Sequence, residues 1–177
     1  MRGILAIDPG ESTGVAWGIV DDKTRGKAYE AVAERLHGNS TTISGEEASQ
    51  IRALYRLWTD FKKLCVQTAL LDPKDIDLVI EDFVLFPGEK PGRATTTPER
   101  IAWGFEGYRM AQFDAYRRSW PKHYTPVTWQ KSGAAYRFKS DRQLMFNAGI
   151  WIRGKEHERS AFAHVLLRTN VLLDNRR

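Results

Sequence analysis

Residues 4 to 20, ILAIDPGESTGVAWGIV, constrain this chain more than any other stretch. An unbroken apolar run ends in a carboxylate, Asp8, and a Pro-Gly turn and a short polar loop then lead into a second apolar run. Continuous apolar character is what a strand covered on both faces requires. The pattern predicts two strands, at 3–9 and 13–20, joined by a tight loop. Most β-hairpins carry no acid at the handover, so the question is what Asp8 holds.

Downstream, residues 28–37 (AYEAVAERLH) alternate apolar and polar and are expected to add a third strand to an antiparallel meander. NSTTISGEE is read as a loop ending in a helix start, with Ser44 and Glu47 at capping-box spacing. Ile51, Leu54, Tyr55, Trp58, Phe61 and Cys65 recur at helical intervals, predicting an amphipathic helix to about Leu71, where LDPKD stops it. IDLVIEDFVLF is the next strand, apolar until Glu81 and Asp82. A Gly/Pro-rich basic loop at 87–96 precedes Thr97-Pro98, an N-cap and a first-turn proline. The helix they open runs to about Arg118, burying some of Ile101, Phe105, Tyr108, Gln112 and Tyr116. HYTPVTWQK supplies a short strand, Ser140 and Gln143 cap a short helix near 141–149, and a last helix spans about 156–172. Strand-helix-strand crossovers after an antiparallel start give a mixed α/β sheet with helices on its faces. With 177 residues and no visible repeat or linker, one domain is expected.

Composition narrows the function classes. A single cysteine, Cys65, excludes an internal disulfide framework and any multi-cysteine metal site, and its helical position suits core packing. No apolar run approaches the roughly 20 residues of a membrane span, and no signal-peptide pattern opens the chain, so a cytoplasmic protein is expected. The formal charge is +5, with basic residues interleaved among aromatics in RRSWPKHY, WQKSGAAYRFKSDR and WIRGKEHER. That pattern fits a nucleic-acid surface, with cations for phosphates and rings for bases. It fits equally a solvated basic face with its aromatics turned inward.

Asp8 and Glu81 both end strands. If those strands are neighbours, both acids reach the carboxyl edge of the sheet, where α/β sheets bind ligands. Two adjacent carboxylates repel, so one keeps a proton or a cation sits between them. Mg²⁺ or Mn²⁺, hard ions that prefer oxygen, would relieve the pair. In the last helix His157, Ser160, Ala161 and His164 share a face, with Glu158 about 100° round from His157. Taken singly, His157 is a first-turn residue facing solvent and His164 a core histidine.

Four stretches in register resemble the RuvC family of Holliday-junction resolvases. ILAIDPGESTGVAWGIV resembles its first motif and LVIEDFVLF its second. TPVTWQK is similar to its P-x-x-[VW]-K segment, and HERSAFAHVLL to its C-terminal H/D-x-x-D-A helix. The resemblance implies an RNase H-like fold, a five-stranded mixed sheet with strands 1 to 3 antiparallel, flanked by helices. Asp8 and Glu81 then match the family's carboxylate ligands and His157 its Asp-or-His position. Ser160 stands where the family's fourth acid belongs, with Glu158 and Asp82 the nearest substitutes.

The implied activity is a metal-dependent endonuclease that resolves four-way and possibly other branched DNA junctions by paired phosphodiester hydrolysis as a homodimer. Two divalent ions about 4 Å apart would serve it. Asp8 would bridge them, Glu81 would complete one, and His157 and Glu158 would lie near the other. Phe83 and Phe86 are candidate wedges between bases at the junction centre. Lys90, Arg93, Arg100, Lys131, Arg137 and Lys139 are candidate phosphate contacts. Small size and the divergent last motif suggest a phage protein. Two rivals stay open: a non-catalytic branched-DNA binder lacking the fourth acid, and a fragment of an actin-like phosphotransferase.

Overall fold

The computed structural model describes residues 1–21, 23–26, 39–82, 93–115, 124–147 and 156–174. Five strands, β1 (Arg2–Asp8), β2 (Ser12–Val20), β3 (Asn39–Ser44), β4 (Ile76–Asp82) and β5 (Val127–Lys131), form one sheet in the order β3-β2-β1-β4-β5. β1, β2 and β3 are antiparallel neighbours, while β4 and β5 join parallel to β1. The helices are α1 (Glu47–Lys63), α2 (Arg93–Ala115), α3 (Tyr136–Ser140), α4 (Arg142–Asn147) and α5 (Glu156–Asp174). This is the α/β mixed sheet flanked by helices that the element order predicts. No helix among the described residues is long and apolar enough to cross a membrane.

Side chains alternate along each strand, so the sheet divides its residues between two cores. Leu5, Ile7, Val15, Leu78 and Ile80 pack with Leu54, Trp58 and Phe61 of α1 and Ile101 and Phe105 of α2. Cys65 belongs to this layer, and burial pushes its thiol up to about 12. On the other face Ile4, Ala6, Ala16, Val20 and Val79 meet α5 through Ala161, Phe162, Val165 and Leu166, joined by Phe138 of α3 and Met145 of α4. Small residues at Ala6 and Ala16 let α5 lie close to the sheet, which is what brings its first turns to Asp8.

Several local expectations need correction. The third strand is Asn39–Ser44, read above as loop; residues 28–37 lie outside the described residues. Its Ser-Thr-Thr-Ile run has the β-branched content of a strand without the apolar alternation, because it is an edge strand. Ser44 therefore ends β3 and caps nothing; Glu46 takes the N-cap position without a side-chain hydrogen bond. The first helix loosens into a wider turn over Leu64–Thr68 and stops before Leu70, whose φ of 52° is left-handed. The next helix begins at Arg93, ahead of the proposed Thr97 cap, leaving Pro98 inside it. A proline so near the start removes only one hydrogen bond, to the carbonyl of residue 94. The short helix expected near 141–149 is found as Arg142–Asn147, and Tyr136–Ser140 before it is a further helix that was not expected.

Candidate active site

β1 and β4 run parallel with Ile7 beside Ile80, so the next residues, Asp8 and Glu81, are neighbours at the carboxyl ends of their strands. Glu81 pairs in turn with Gln130 of β5. Asp8, Glu81 and Gln130 thus form a row across three strands, on the face covered by α5. On the other flank of Asp8 stands Gly14 of β2. A side chain there would collide with the His157 backbone carbonyl, so Gly14 is the opening into which the start of α5 fits. That seat brings His157 Nδ1 to 3.5 Å from Asp8 Oδ2.

The turn after Asp8 is fixed by buried hydrogen bonds. Thr13 Oγ1 donates to Gln50 Oε1 at 2.6 Å and accepts from the Gly10 N–H at 3.4 Å. Gln50 Nε2 donates to the carbonyls of Glu11 and Gly45 at 3.0 and 2.9 Å, tying the Pro-Gly loop to the start of α1. Gln50 is buried, and nothing in its neutral side chain marked it in the sequence.

Asp8 and His157 act on each other's protonation. Burial raises the Asp8 pKa above its ordinary value, and the Glu81 carboxyl raises it further; the His157 hydrogen bond opposes both in part. His157 is itself raised, chiefly by that bond to Asp8, while desolvation and the Lys139 charge work against it. Glu81 Oε2 accepts from Ser160 Oγ at 3.3 Å, and Ser160 Oγ accepts from Lys139 Nζ at 3.3 Å. From below, fully buried His164 places Nε2 3.1 Å from Glu81 Oε2, out of line for a hydrogen bond, while its Nδ1 meets Gln130 Oε1 at 2.9 Å. The reach of His164 into the site and the place of Gln130 were both missed in the sequence. The signal for His164 was there, in its helical spacing from His157 and Ser160.

Asp8, Glu81, His157 and Ser160 are therefore brought together. Glu158 is not among them. Its carboxylate is buried against β3, accepting from Ser40 Oγ at 2.5 Å and Thr42 Oγ1 at 3.0 Å, so as a metal ligand and catalytic residue it is corrected to a tie between α5 and the edge strand. Asp82, the other substitute for the fourth acid, follows Glu81 in an extended strand and points to the opposite sheet face. Arg100 is exposed and pairs with Glu47 at 2.5 Å. Lys131, Arg137 and Lys139 are exposed, Arg137 lying over the Phe138 ring. Arg93 is the first residue of α2; Phe83, Phe86 and Lys90 lie outside the described residues.

Among the described residues no group of three or more His, Cys, Asp and Glu side chains converges as a cation cage. What the site offers is a pair of carboxylates flanked by two imidazoles, His157 beside Asp8 and His164 beneath Glu81. That donor set suits one hard divalent ion, since Mg²⁺ is commonly held by one or two carboxylates with water and substrate phosphate completing its shell. The Asp8 pKa is raised first by burial and further by Glu81, and a cation between the two carboxyls would relieve the latter part.

No family sequence model matches the chain, and no curated protein matches it. Among solved structures it is similar to Thermus thermophilus RuvC in complex with a Holliday junction substrate, with a TM-score of 0.54 and 14% identity over 99% of this chain and 96% of that one. A second Thermus thermophilus RuvC structure gives a TM-score of 0.53 and 15% identity over the same shares. The RNase H-like fold implied by the motifs is the fold found.

Proposed function

We propose that the chain is a single-domain, metal-dependent endonuclease that nicks four-way and related branched DNA, acting as a homodimer. The observation that carries this reading is the Asp8–Glu81 pair at the carboxyl edge of a RuvC-like sheet, with His157 seated against it. The similar Thermus protein is described in complex with a Holliday junction, a two-fold substrate whose resolution needs two opposed nicks. Two copies of one site meet that need.

Asp8 and Glu81 would hold Mg²⁺ or Mn²⁺, with His157 beside Asp8. When bound, the ion supplies charge for the phosphodiester and acidifies an attacking water. The chain's own groups do the rest. His157, in its neutral form, takes the proton that the water loses as its oxygen bonds to phosphorus. The P–O3′ bond breaks, the 3′ oxygen is protonated from solvent, and a 5′-phosphate remains. Gly14 and the Thr13–Gln50 bonds keep the imidazole and the Asp8 turn in register. Lys131, Arg137 and Lys139 line the exposed basic side toward which the DNA backbone would lie.

The test is incubation of a labelled synthetic four-way junction with the protein, with and without Mg²⁺ or Mn²⁺. Paired symmetric nicks that need the cation and vanish in Asp8→Asn support the nuclease. Tight binding without cutting would replace it with the branched-DNA binder that Ser160, in place of an acid, also allows.

A further inference from the structure

Ser160 raises the question of how this site manages without the acid that the resemblance calls for. Its hydroxyl lies between Glu81, to which it donates, and Lys139, from which it accepts, each at 3.3 Å. We propose that the site takes a single divalent cation, and that the Lys139 ammonium, held through Ser160, stands where the second cation of a two-ion nuclease would sit. This rests on the nuclease reading above and replaces the pair of ions that the motifs imply.

Three observations support it. Of the residues sought for a second ion only His157 is in place, while Glu158 is turned to Ser40 and Thr42 and Asp82 lies on the far face. The inner side of Glu81 is taken by His164, whose other nitrogen is engaged by Gln130. Lys139 is also placed by packing rather than by chance, because its neighbour Phe138 and Ala135 are buried in the core against α5. An acid in place of Ser160 would pair with the ammonium, which would then compete with a metal ion for that carboxylate. A neutral hydroxyl instead leaves the lysine's remaining protons free to meet a phosphate oxygen. Two carboxylates and one divalent ion balance in charge, and the lysine then faces the phosphate as surplus positive charge.

Mn²⁺ binding to the full chain without DNA, followed by calorimetry and electron paramagnetic resonance, tests the count directly. The wild type is expected to bind one Mn²⁺, and the Lys139→Met/Ser160→Asp double variant two. Two ions in the wild type overturn the inference, as does a double variant that keeps the wild-type circular dichroism and still binds one. If the double variant fails to fold, the wild-type count decides alone. On junction DNA, Lys139→Met is expected to lose on the order of 10²-fold in cutting rate, the scale of removing one charge-stabilising donor, with its Mn²⁺ midpoint unchanged. Loss of Mn²⁺ binding with cutting would instead make Lys139 structural and overturn its role. A wild type that cuts with two ions refutes this inference and spares the nuclease reading; one that binds a single ion and cuts no branched DNA does the reverse.

Discussion

α5 crosses carboxylates of the same sheet face at two places and treats them in opposite ways. Toward its C-terminal half, Asp77 is bracketed by guanidinium groups: Arg168 donates from Nη2 at 2.6 Å and Nε at 3.2 Å, and Arg2 from Nη1 at 3.3 Å. Toward its start, Asp8 and Glu81 face one another with two imidazoles, a hydroxyl and, at one remove, a lysine. Asp77 and Glu81 are buried and Asp8 is half-buried, but Asp77 meets guanidinium groups whereas Asp8 and Glu81 meet imidazoles. An acid that serves the fold is neutralised by the fold. At the other end the Asp8 carboxyl is held above its ordinary range by burial and by Glu81, and an outside cation would relieve that.

The largest effect should come from breaking the Asp8–Glu81 end. Glu81→Gln removes one carboxylate, and junction cutting should fall roughly 10³-fold. Gel-shift affinity for the junction and thermal stability should stay near wild type, since no basic surface is lost and a repulsion is relieved. At the Asp77 end the pattern should invert. Arg168→Met leaves the buried Asp77 with Arg2 alone and should cost about 2 kcal/mol of stability, read by urea unfolding, because stranding a buried charge is expensive. Cutting at a temperature where that variant is folded should be unchanged. If Arg168→Met abolished cutting in the folded protein, the division between the two ends would be wrong.

A smaller effect sharpens the comparison through pH. The folded-state pKa of Asp8 lies above the unfolded value near 3.8, so its contribution to stability is complete below that value and is lost as pH rises through the folded pKa. His157, raised above 6.5, adds a loss of the same sign as pH rises through its own folded value. Asp8→Asn removes the first of these outright and the main cause of the second, the bond from His157 to Asp8. The stability difference between Asp8→Asn and wild type in chelator should therefore be least at about pH 3.5 and grow as pH rises, as followed by thermal unfolding.

Much of this was readable in the residues, and the reasons for the rest are specific. Asp8 and Glu81 were legible because each interrupts an apolar run, and parallel crossovers force two such strands together. β3 was not, because its exposed edge carries serine and threonine where a central strand carries valine and isoleucine. Those same hydroxyls capture Glu158, so missing the strand and misplacing the acid are one error. Helical spacing put His157 and Glu158 about 100° apart without saying which faced the sheet; Gly14 decides it, by admitting the His157 backbone. Gln50 and Gln130 are neutral, and their importance comes from burial, which a single side chain does not announce. Lys139 looked like any surface lysine because the bond that distinguishes it is to a residue 21 positions away.

Thermal unfolding of wild type and Asp8→Asn, in chelator and in Mn²⁺ at about pH 8, puts the central claim to its most direct test. Asp8→Asn should unfold at the higher temperature in chelator, and Mn²⁺ should stabilise the wild type while leaving the variant where it was. A variant that is less stable than wild type in chelator, or that gains as much from Mn²⁺, would contradict the account.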